Sequence, residues 1–390
     1  MKALLFLLLI FLSATASAQL LIAAKEKGKP FGYIDEKGNY VIPPTFDAAG
    51  PFYKGTAVVR KNKKFGIINL RGEFVVAPQY DDAIEYAPDG FITVRKSGKW
   101  GVIDQQGNIK IPLQHEYLSV VKEGFVIGGV VFTSKSSKAL YQRLCPIVYG
   151  LNGEVVLEND CTDEPSVVLP GTVDKSGRYS EGAWPMVQNG AIVLEDVYGE
   201  EFQAAHVASG RTIPLYSITF PDHYARFREG VLAFQFKDEG ESPGLAAYAD
   251  TVMFAAGLAS ASSPLSYQAN VVHPFFNNVA AVEQDGLWSF IDRDGDVISK
   301  TNLSTTEYRA APPMYFNGLV GFFNGKGKAG YVNLKGETVI PFEFEEYHPF
   351  EWDVTPVKKN GLYGLLRKDG TWAVDPRFED MYAAPCPCYQ

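Results

Sequence analysis

Lys99-Trp100-Gly101-Val102-Ile103-Asp104-Gln105-Gln106-Gly107 decides how this chain is read, because its pattern returns along the sequence. Upstream, Phe31-Gly32-Tyr33-Ile34-Asp35 leads to Gly38, then Val41-Ile42-Pro43-Pro44 and Phe46-Asp47. Phe65-Gly66-Ile67-Ile68-Asn69 leads to Gly72, then Val75-Val76-Ala77-Pro78 and Tyr80-Asp81. Downstream, Gly330-Tyr331-Val332-Asn333 leads to Gly336 and Val339-Ile340-Pro341, and Gly364-Leu365-Leu366-Arg367 leads to Gly370, Trp372 and Asp375-Pro376. The spacing is 34 from Gly32 to Gly66, 35 from Gly66 to Gly101, and 34 again from Gly330 to Gly364. Trp288-Ser289-Phe290-Ile291-Asp292 is a further copy with Ser in place of Gly. A fixed period of roughly 20–50 residues marks a repeat architecture.

Each copy predicts the same small unit. Gly55 to Val59 is short and β-branched and reads as a strand. Asn62-Lys63-Lys64 turns the chain into a second strand, Phe65 to Ile68. Asn69-Leu70-Arg71-Gly72 is a turn in which an Asx side chain bonds back to the backbone and Gly supplies positive φ. Glu73 to Val76 is the third strand, and Ala77-Pro78 ends it, since Pro cannot donate to a ladder. The Gly at the head of each second strand predicts a close backbone approach or room for a neighbouring aromatic. Phe46-Asp47 and Tyr80-Asp81 then fall in a connecting loop. A lone three-stranded meander cannot cover its apolar face, so the copies must stack.

These residues resemble the WG-repeat (KWG) family of bacterial proteins, closely over 26–127 and 275–382. The Trp of the motif stands at Trp100 and is replaced in most copies, by Phe31, Phe65, Ala329 and Tyr363. The resemblance implies a β-rich repeat array, often exported. Because the motif is structural, it carries over no catalytic residue. Gly32, Asp35, Gly38, Gly66, Asn69, Gly72, Trp100, Gly101, Asp104, Gly107, Gly330, Asn333, Gly336, Gly364 and Gly370 are therefore expected to be turn and scaffold residues. The expected fold is all-β: tandem three-stranded antiparallel meanders in a propeller-like or solenoid-like array.

The chain divides into a leader (1–18), regular repeats (19–127), degenerate repeats with inserts (128–274) and regular repeats again (275–390). In the leader, Lys2 precedes an apolar run and an Ala16-Ser17-Ala18 site, the pattern of a secretory signal peptide. The run is shorter than the ~20 apolar residues of a membrane-spanning helix. A secreted or periplasmic protein is expected, with a buried first helix or an uncleaved anchor as the alternatives. In the middle, Leu151-Asn152-Gly153-Glu154-Val155-Val156, Ser209-Gly210 with Ile213-Pro214, Phe227 to Phe234 and Tyr248-Ala249-Asp250 still echo pieces of the unit. These inserts are either drift in a tolerant scaffold or loops that bind something.

Composition narrows the function. The 390 residues are 46% hydrophobic and 13% aromatic with net charge −9. That excludes a disordered chain, and the acidic balance argues against nucleic acid and against an anionic membrane surface. Four Cys suit an oxidising compartment. Cys145 and Cys161 are placed to pair, whereas Cys386 and Cys388 are too close in sequence to bridge without strain. Neither metal nor other cofactor is expected, since no His or second Cys pair stands at ligand spacing.

Catalytic signals are weak. Gly240-Glu241-Ser242-Pro243-Gly244 has the string of a serine-hydrolase elbow, but Lys237-Asp238-Glu239 before it read as a solvated loop rather than a buried strand. The five His are scattered, with Asp222-His223 and Glu345-Glu346 near His348 the nearest approaches to a constellation. Asp35, Asp104 and Asp292 recur in register, which marks turn formers, and one Asp per turn is too few for a calcium loop. Asp81-Asp82, Glu345-Glu346 and Glu379-Asp380 follow the third strands. They form either a solvated rim or an acidic strip facing a cationic or sugar partner. Tyr80, Tyr86, Phe344, Tyr347, Phe350 and Phe378 either fill the stack or present rings to carbohydrate or peptide. The expected function is non-enzymatic: a binding or scaffold module for an unknown protein or carbohydrate at the cell envelope. The alternatives are a hydrolase using the irregular middle and a self-associating structural protein.

Overall fold

The computed structural model describes residues 20–84, 89–119, 121–135, 140–158, 167–168, 191–195, 202–207, 212–215, 218–219, 227–228, 231–236, 245–248, 271–272, 275–284, 286–292, 296–303 and 314–382. Among them there is no helix, and every strand pair is antiparallel. The first unit contains β1 (Ile22–Glu26), β2 (Phe31–Ile34) and β3 (Tyr40–Phe46); the second β4 (Ala48–Tyr53), β5 (Thr56–Lys61), β6 (Lys64–Asn69) and β7 (Phe74–Tyr80); the third β8 (Asp82–Ala83), β9 (Phe91–Lys96), β10 (Lys99–Asp104) and β11 (Ile109–His115). The middle contributes β12 (Phe125–Lys135), β13 (Leu140–Gly150), β14 (Val155–Glu158), β15 (Val167–Val168), β16 (Ala191–Glu195), β17 (Phe202–His206), β18 (Thr212–Leu215), β19 (Ile218–Thr219), β20 (Phe227–Arg228), β21 (Val231–Phe236) and β22 (Leu245–Tyr248). The late units are β23 (Val271–Val272), β24 (Ala280–Gln284), β25 (Leu287–Ile291) and β26 (Val297–Lys300); β27 (Met314–Phe316), β28 (Leu319–Phe323), β29 (Ala329–Val332) and β30 (Thr338–Phe344); and β31 (Glu346–Tyr347), β32 (Val354–Lys359), β33 (Leu362–Arg367) and β34 (Trp372–Tyr382).

The meander is there in each regular unit, and a short strand precedes it, giving four-stranded sheets in the order β4-β5-β6-β7, β8-β9-β10-β11, β23-β24-β25-β26 and β27-β28-β29-β30. The added strand occupies the segment after the aromatic-acid pair. Ala48-Ala49-Gly50-Pro51 has no strand propensity of its own; pairing of Ala49 with Val59 and of Phe52 with Ala57 makes it extended. The third strand also runs on past its Pro, to Phe46, Tyr80, Phe344 and Phe378. β3, β7 and β30 are the outer strands of their sheets, and in β34 the Pro precedes the stretch from Phe378 that pairs with β1, so a missing N–H costs no ladder bond.

Each outer strand bulges over the motif glycine, which lies inside the second strand of its meander. Phe65 pairs with Tyr80 and Ile67 with Val76, so three outer residues span the single position Gly66. A Cβ on Gly66 would lie 2.6 Å from the Val76 carbonyl oxygen; on Gly32, 2.6 Å from that of Ile42; on Gly101, 2.7 Å from that of Ile111; on Gly364, 2.6 Å from that of Val374. Where Ser289 replaces the glycine, the bulge is absent at that point. Ser289 pairs directly with Lys300, and Thr301 Oγ1 donates to the Trp288 carbonyl at 2.7 Å.

The core lies between units, as stacking requires. Val58, Phe65, Ile67, Val76 and Tyr80 of the second unit pack with Ile92, Val94 and Ile103 of the third. In the second and third units the turn glycine before the outer strand rests on the outer strand of the preceding unit: a Cβ on Gly72 would meet Ile42 Cγ2 at 2.8 Å, and one on Gly107 would meet Val76 Cγ2 at 2.9 Å. Those glycines also have φ of +78° and +86°, so two independent constraints fix them. The two ends of the described chain meet in one sheet, of order β3-β2-β1-β34-β33-β32-β31.

Candidate functional site

The recurrent Asx residues are turn formers by geometry. Asp35 Oδ1 accepts from the Lys37 and Asn39 amides at 2.9 and 2.8 Å, and Asp104 Oδ1 from those of Gln106 and Asn108 at 3.0 and 2.9 Å. Asn69 and Asn333 do the same with Arg71 and Glu73 and with Lys335 and Glu337. Partial burial disfavours the charged carboxylates of Asp35 and Asp104. The hydrogen bonds from Asn39 and Asn108 and their neighbours outweigh it and hold both below the usual Asp range. Two units lack an Asx residue at this place, carrying Gly150 and Arg367. In both, a residue two positions on takes the role: Asn152 Oδ1 accepts the Glu154 amide at 3.1 Å and Asp369 Oδ1 the Thr371 amide at 2.9 Å.

The acids after the outer strands are seam clamps. Asp47 Oδ2 accepts the Lys63 amide at 2.9 Å, Asp81 Oδ2 the Ser97 amide at 2.6 Å and Glu345 Oε2 the Gly361 amide at 2.9 Å. Each reaches the hairpin turn of the following unit, where Lys63 (φ 62°), Ser97 (φ 53°) and Gly361 (φ 77°) are left-handed. The next acids pair within the following unit, from its first strand to its second: Asp82 Oδ2 with Arg95 at 2.9 Å, and Glu346 Oε1 with Lys358 at 2.7 Å. Burial raises the Glu346 carboxyl, but bonds from Lys358 and from the Tyr363 hydroxyl bring it below its ordinary value. The strip is thus consumed in joining units and in pairing strands within them. The recurrence of aromatic-acid at Phe46-Asp47, Tyr80-Asp81, Phe344-Glu345 and Phe378-Glu379 was the sequence signal for it.

The aromatics fill the stack. Tyr80, Phe344, Tyr347, Phe350 and Phe378 are all buried; Tyr86 lies outside the described residues. Two hydroxyls tie units together: Tyr33 donates to the Gly50 carbonyl and Tyr331 to that of His348, both at 2.7 Å. Asn277 Nδ2 donates to the Tyr315 carbonyl at 2.9 Å and Asn317 Nδ2 to that of Phe350 at 2.7 Å; nothing in the repeat pattern singled these two out. Trp100 is half-buried under the Arg95 guanidinium, 5.3 Å from ring centre to Cζ.

No constellation for catalysis forms among the described residues. No group of three or more His, Cys, Asp or Glu there has the geometry to hold a metal ion. Ser242, His223 and His273 lie outside them. His115 stacks edge-on against Tyr149 with ring centres 4.9 Å apart. His348 is partly buried and its Nδ1 has no hydrogen-bond partner. Cys145 is disulfide-bonded; Cys161, Cys386 and Cys388 lie outside the described residues.

Comparison with known families matches the WG containing repeat at residues 31–65, 65–100, 100–127, 267–288 and 330–363. These five stretches are WG-containing repeats. The boundaries at 31, 65, 100, 330 and 363 fall on or next to the motif glycines over which the outer strands bulge, and the matches at 31–127 are contiguous. No curated protein matches the chain. Among solved structures, the computationally designed Ika8 protein is 12% identical, with 91% of this chain and 98% of that chain covered and a TM-score of 0.44. BamB from Moraxella catarrhalis is 12% identical, with 83% and 93% covered and a TM-score of 0.41. Apo AztD from Citrobacter koseri is 11% identical, with 93% and 96% covered and a TM-score of 0.41. At these scores the WG-repeat fold stands on its own strand pairing.

Proposed function

We propose that this protein is an exported, non-enzymatic binding or scaffold module whose partner is a protein or carbohydrate at the cell envelope. The observation that carries the reading is the spending of polar groups. Asp35, Asp104, Asp47, Asp81 and Glu346 each serve a turn, a seam or a strand pair, in register. Chemistry needs one unique convergent site, whereas repetition builds an extended surface with equivalent turns along it. Export rests on the leader at 1–18. The partner would be met by the loops of the irregular middle, carried on the regular frame.

The mature chain, beginning at Gln19, would be immobilised and exposed to purified envelope polysaccharides and surface proteins one at a time. Saturable retention of at least one of them is expected, together with no labelling of Ser242 by a serine-reactive fluorophosphonate. Folded protein that retains none, or stoichiometric labelling of Ser242, would overturn the reading. Fractionation of the native host tests the address: the leader must be absent from mature protein recovered outside the cytoplasm.

A further inference from the structure

At every regular seam the first strand of a unit pairs with the second in one register. Ala48 faces Arg60, Asp82 faces Arg95 and Glu346 faces Lys358. Among the described residues, no such strand precedes β1. In its place stands the end of β34: Asp380 faces Lys25, Met381 faces Ala24 and Tyr382 faces Ala23. The wider seam repeats as well. A Cβ on Gly38 would meet Val374 Cγ1 at 2.9 Å, just as Gly72 meets Ile42 and Gly107 meets Val76. Ile22, Ala24 and Ile34 share one buried cluster with Val354, Leu365, Val374, Phe378 and Met381. The last unit therefore treats the first as its successor.

One feature of this seam is reversed. At three other seams the residue ending the second strand is a lysine standing over the aromatic ring of the preceding unit: Lys61 over Phe46 (5.8 Å), Lys96 over Tyr80 (5.8 Å) and Lys359 over Phe344 (5.9 Å); the units of β24 and β28 carry the neutral Gln284 and Asn324 there. Its polar partner lies one residue before that ring, Gln79 for Lys96 and Glu343 for Lys359. At the terminal seam the lysine position is Glu26, and the position before Phe378 is Arg377. Arg377 lies over Phe378 at 4.9 Å, approaches Glu26 Oε1 at 4.0 Å and donates from Nη2 to the Gly38 carbonyl at 2.6 Å.

We infer that β34 closes the array into a ring by supplying the missing first strand of the N-terminal unit, and that the reversed pair Glu26–Arg377 selects this closure over pairing with an interior unit. The need is physical. Elsewhere the first strand is tethered to the second by a short turn, as Lys54-Gly55 joins β4 to β5, so its local concentration is high. The closing strand has no tether, and repeated units offer it several similar edges. Placing Arg377 before β5, β9 or β32 sets it against Lys61, Lys96 or Lys359, a like-charge contact, and placing it before β24 or β28 sets it against the neutral Gln284 or Asn324, without an ion pair.

Hydrogen–deuterium exchange on the mature chain tests both parts, read at 20–26 and 379–382, with 56–69 as an internal reference for folding. In wild type the β1 amides are expected to be protected to the level of β5; exchange at the rate of an open edge would overturn closure. Glu26→Lys and Arg377→Glu are each expected to speed exchange at the two terminal segments by roughly tenfold while leaving 56–69 unchanged. The exchanged pair E26K/R377E is expected to restore protection. Single variants that match wild type, or a double variant that stays open, would overturn selection by charge. The milder Glu26→Gln covers the case in which a charge-reversed chain fails to fold, and it must show a smaller opening of the same two segments.

Discussion

Gly66 and Ser289 hold the same place in the repeat, and only one of them tolerates a side chain. Above Gly66 the outer strand bulges and its Val76 carbonyl fills the space a Cβ would need; beside Ser289 the outer strand pairs directly, through Lys300, with no bulge over it. Gly66→Ala is expected to destabilise the fold by about 2–3 kcal/mol through overpacking, whereas Ser289→Ala should change it by less than about 1 kcal/mol. Urea unfolding of the two variants checks the contrast, and equal losses would contradict the bulge argument. The turn residues follow a similar logic. Asp104→Ala removes the acceptor of two backbone amides and is expected to cost about 1 kcal/mol, with Asp104→Asn close to neutral because the amide oxygen accepts both, as Asn69 does. The glycine and Asx positions were legible in the sequence because they recur. The reason for the glycine was only half legible, since a bulge on a strand several residues downstream leaves no mark at the glycine itself.

At the scale of elements, the meander was readable from β-branched runs and turn chemistry, and the strand that precedes it was not. Ala48 to Tyr53 and Asp82-Ala83 carry no alternating pattern, and partners alone make them strands. Proline misled for the same kind of reason: it ends a central strand but sits without cost on an outer one. The junctions between elements carry the titrating groups. Hydrogen bonds outweigh burial at Asp35 and Asp104 and depress both carboxyls. Their stabilising contribution is present above the ordinary Asp value of 3.8 and is lost as pH falls through the lower folded values. Burial of His348 also depresses its pKa, against the opposing charge of Glu346. A depressed histidine favours protonation of the unfolded chain, so stability should already decline as pH drops below 6.5. Burial depresses His115 as well, so stability measured against pH is expected to fall in two stages, the upper one diminished in His348→Gln and abolished when His115 is also replaced by Gln. A wild-type curve flat from pH 7 to 5 would contradict this assignment.

Across the whole molecule, the terminal seam turns a periodic chain into a fold with a defined beginning and end. If β34 and β1 are neighbours as β4 and β5 are, then Tyr382 and Ala23 stand like Gly50 and Val58, and Leu20 stands like Gly55, so a four-residue connection from Tyr382 to Leu20 would match the one from Gly50 to Gly55. A permuted chain that links Tyr382 to Leu20 through a four-residue Gly-Asn-Gly-Ser turn, keeping the buried Leu21 and Ile22, and opens between Lys54 and Gly55 is therefore expected to fold with a melting temperature within a few degrees of the parent. It would then lose protection at 48–53 and 56–61 rather than at its old ends. A permutant that aggregates or melts far lower would argue that the original ends are joined less closely than their register implies.

The sequence by itself determined the unit: its period, its meander, its turn residues and the absence of helical periodicity, because these depend on propensities and spacings within about 35 residues. It also carried the aromatic-acid pairs, without their meaning. Only the tertiary structure decided that the acids clamp the following unit, that the aromatics face inward and that the last strand completes the first sheet. Those outcomes depend on which copy lies beside which, and a repeat that looks the same from every copy does not encode its neighbour until the chain is packed.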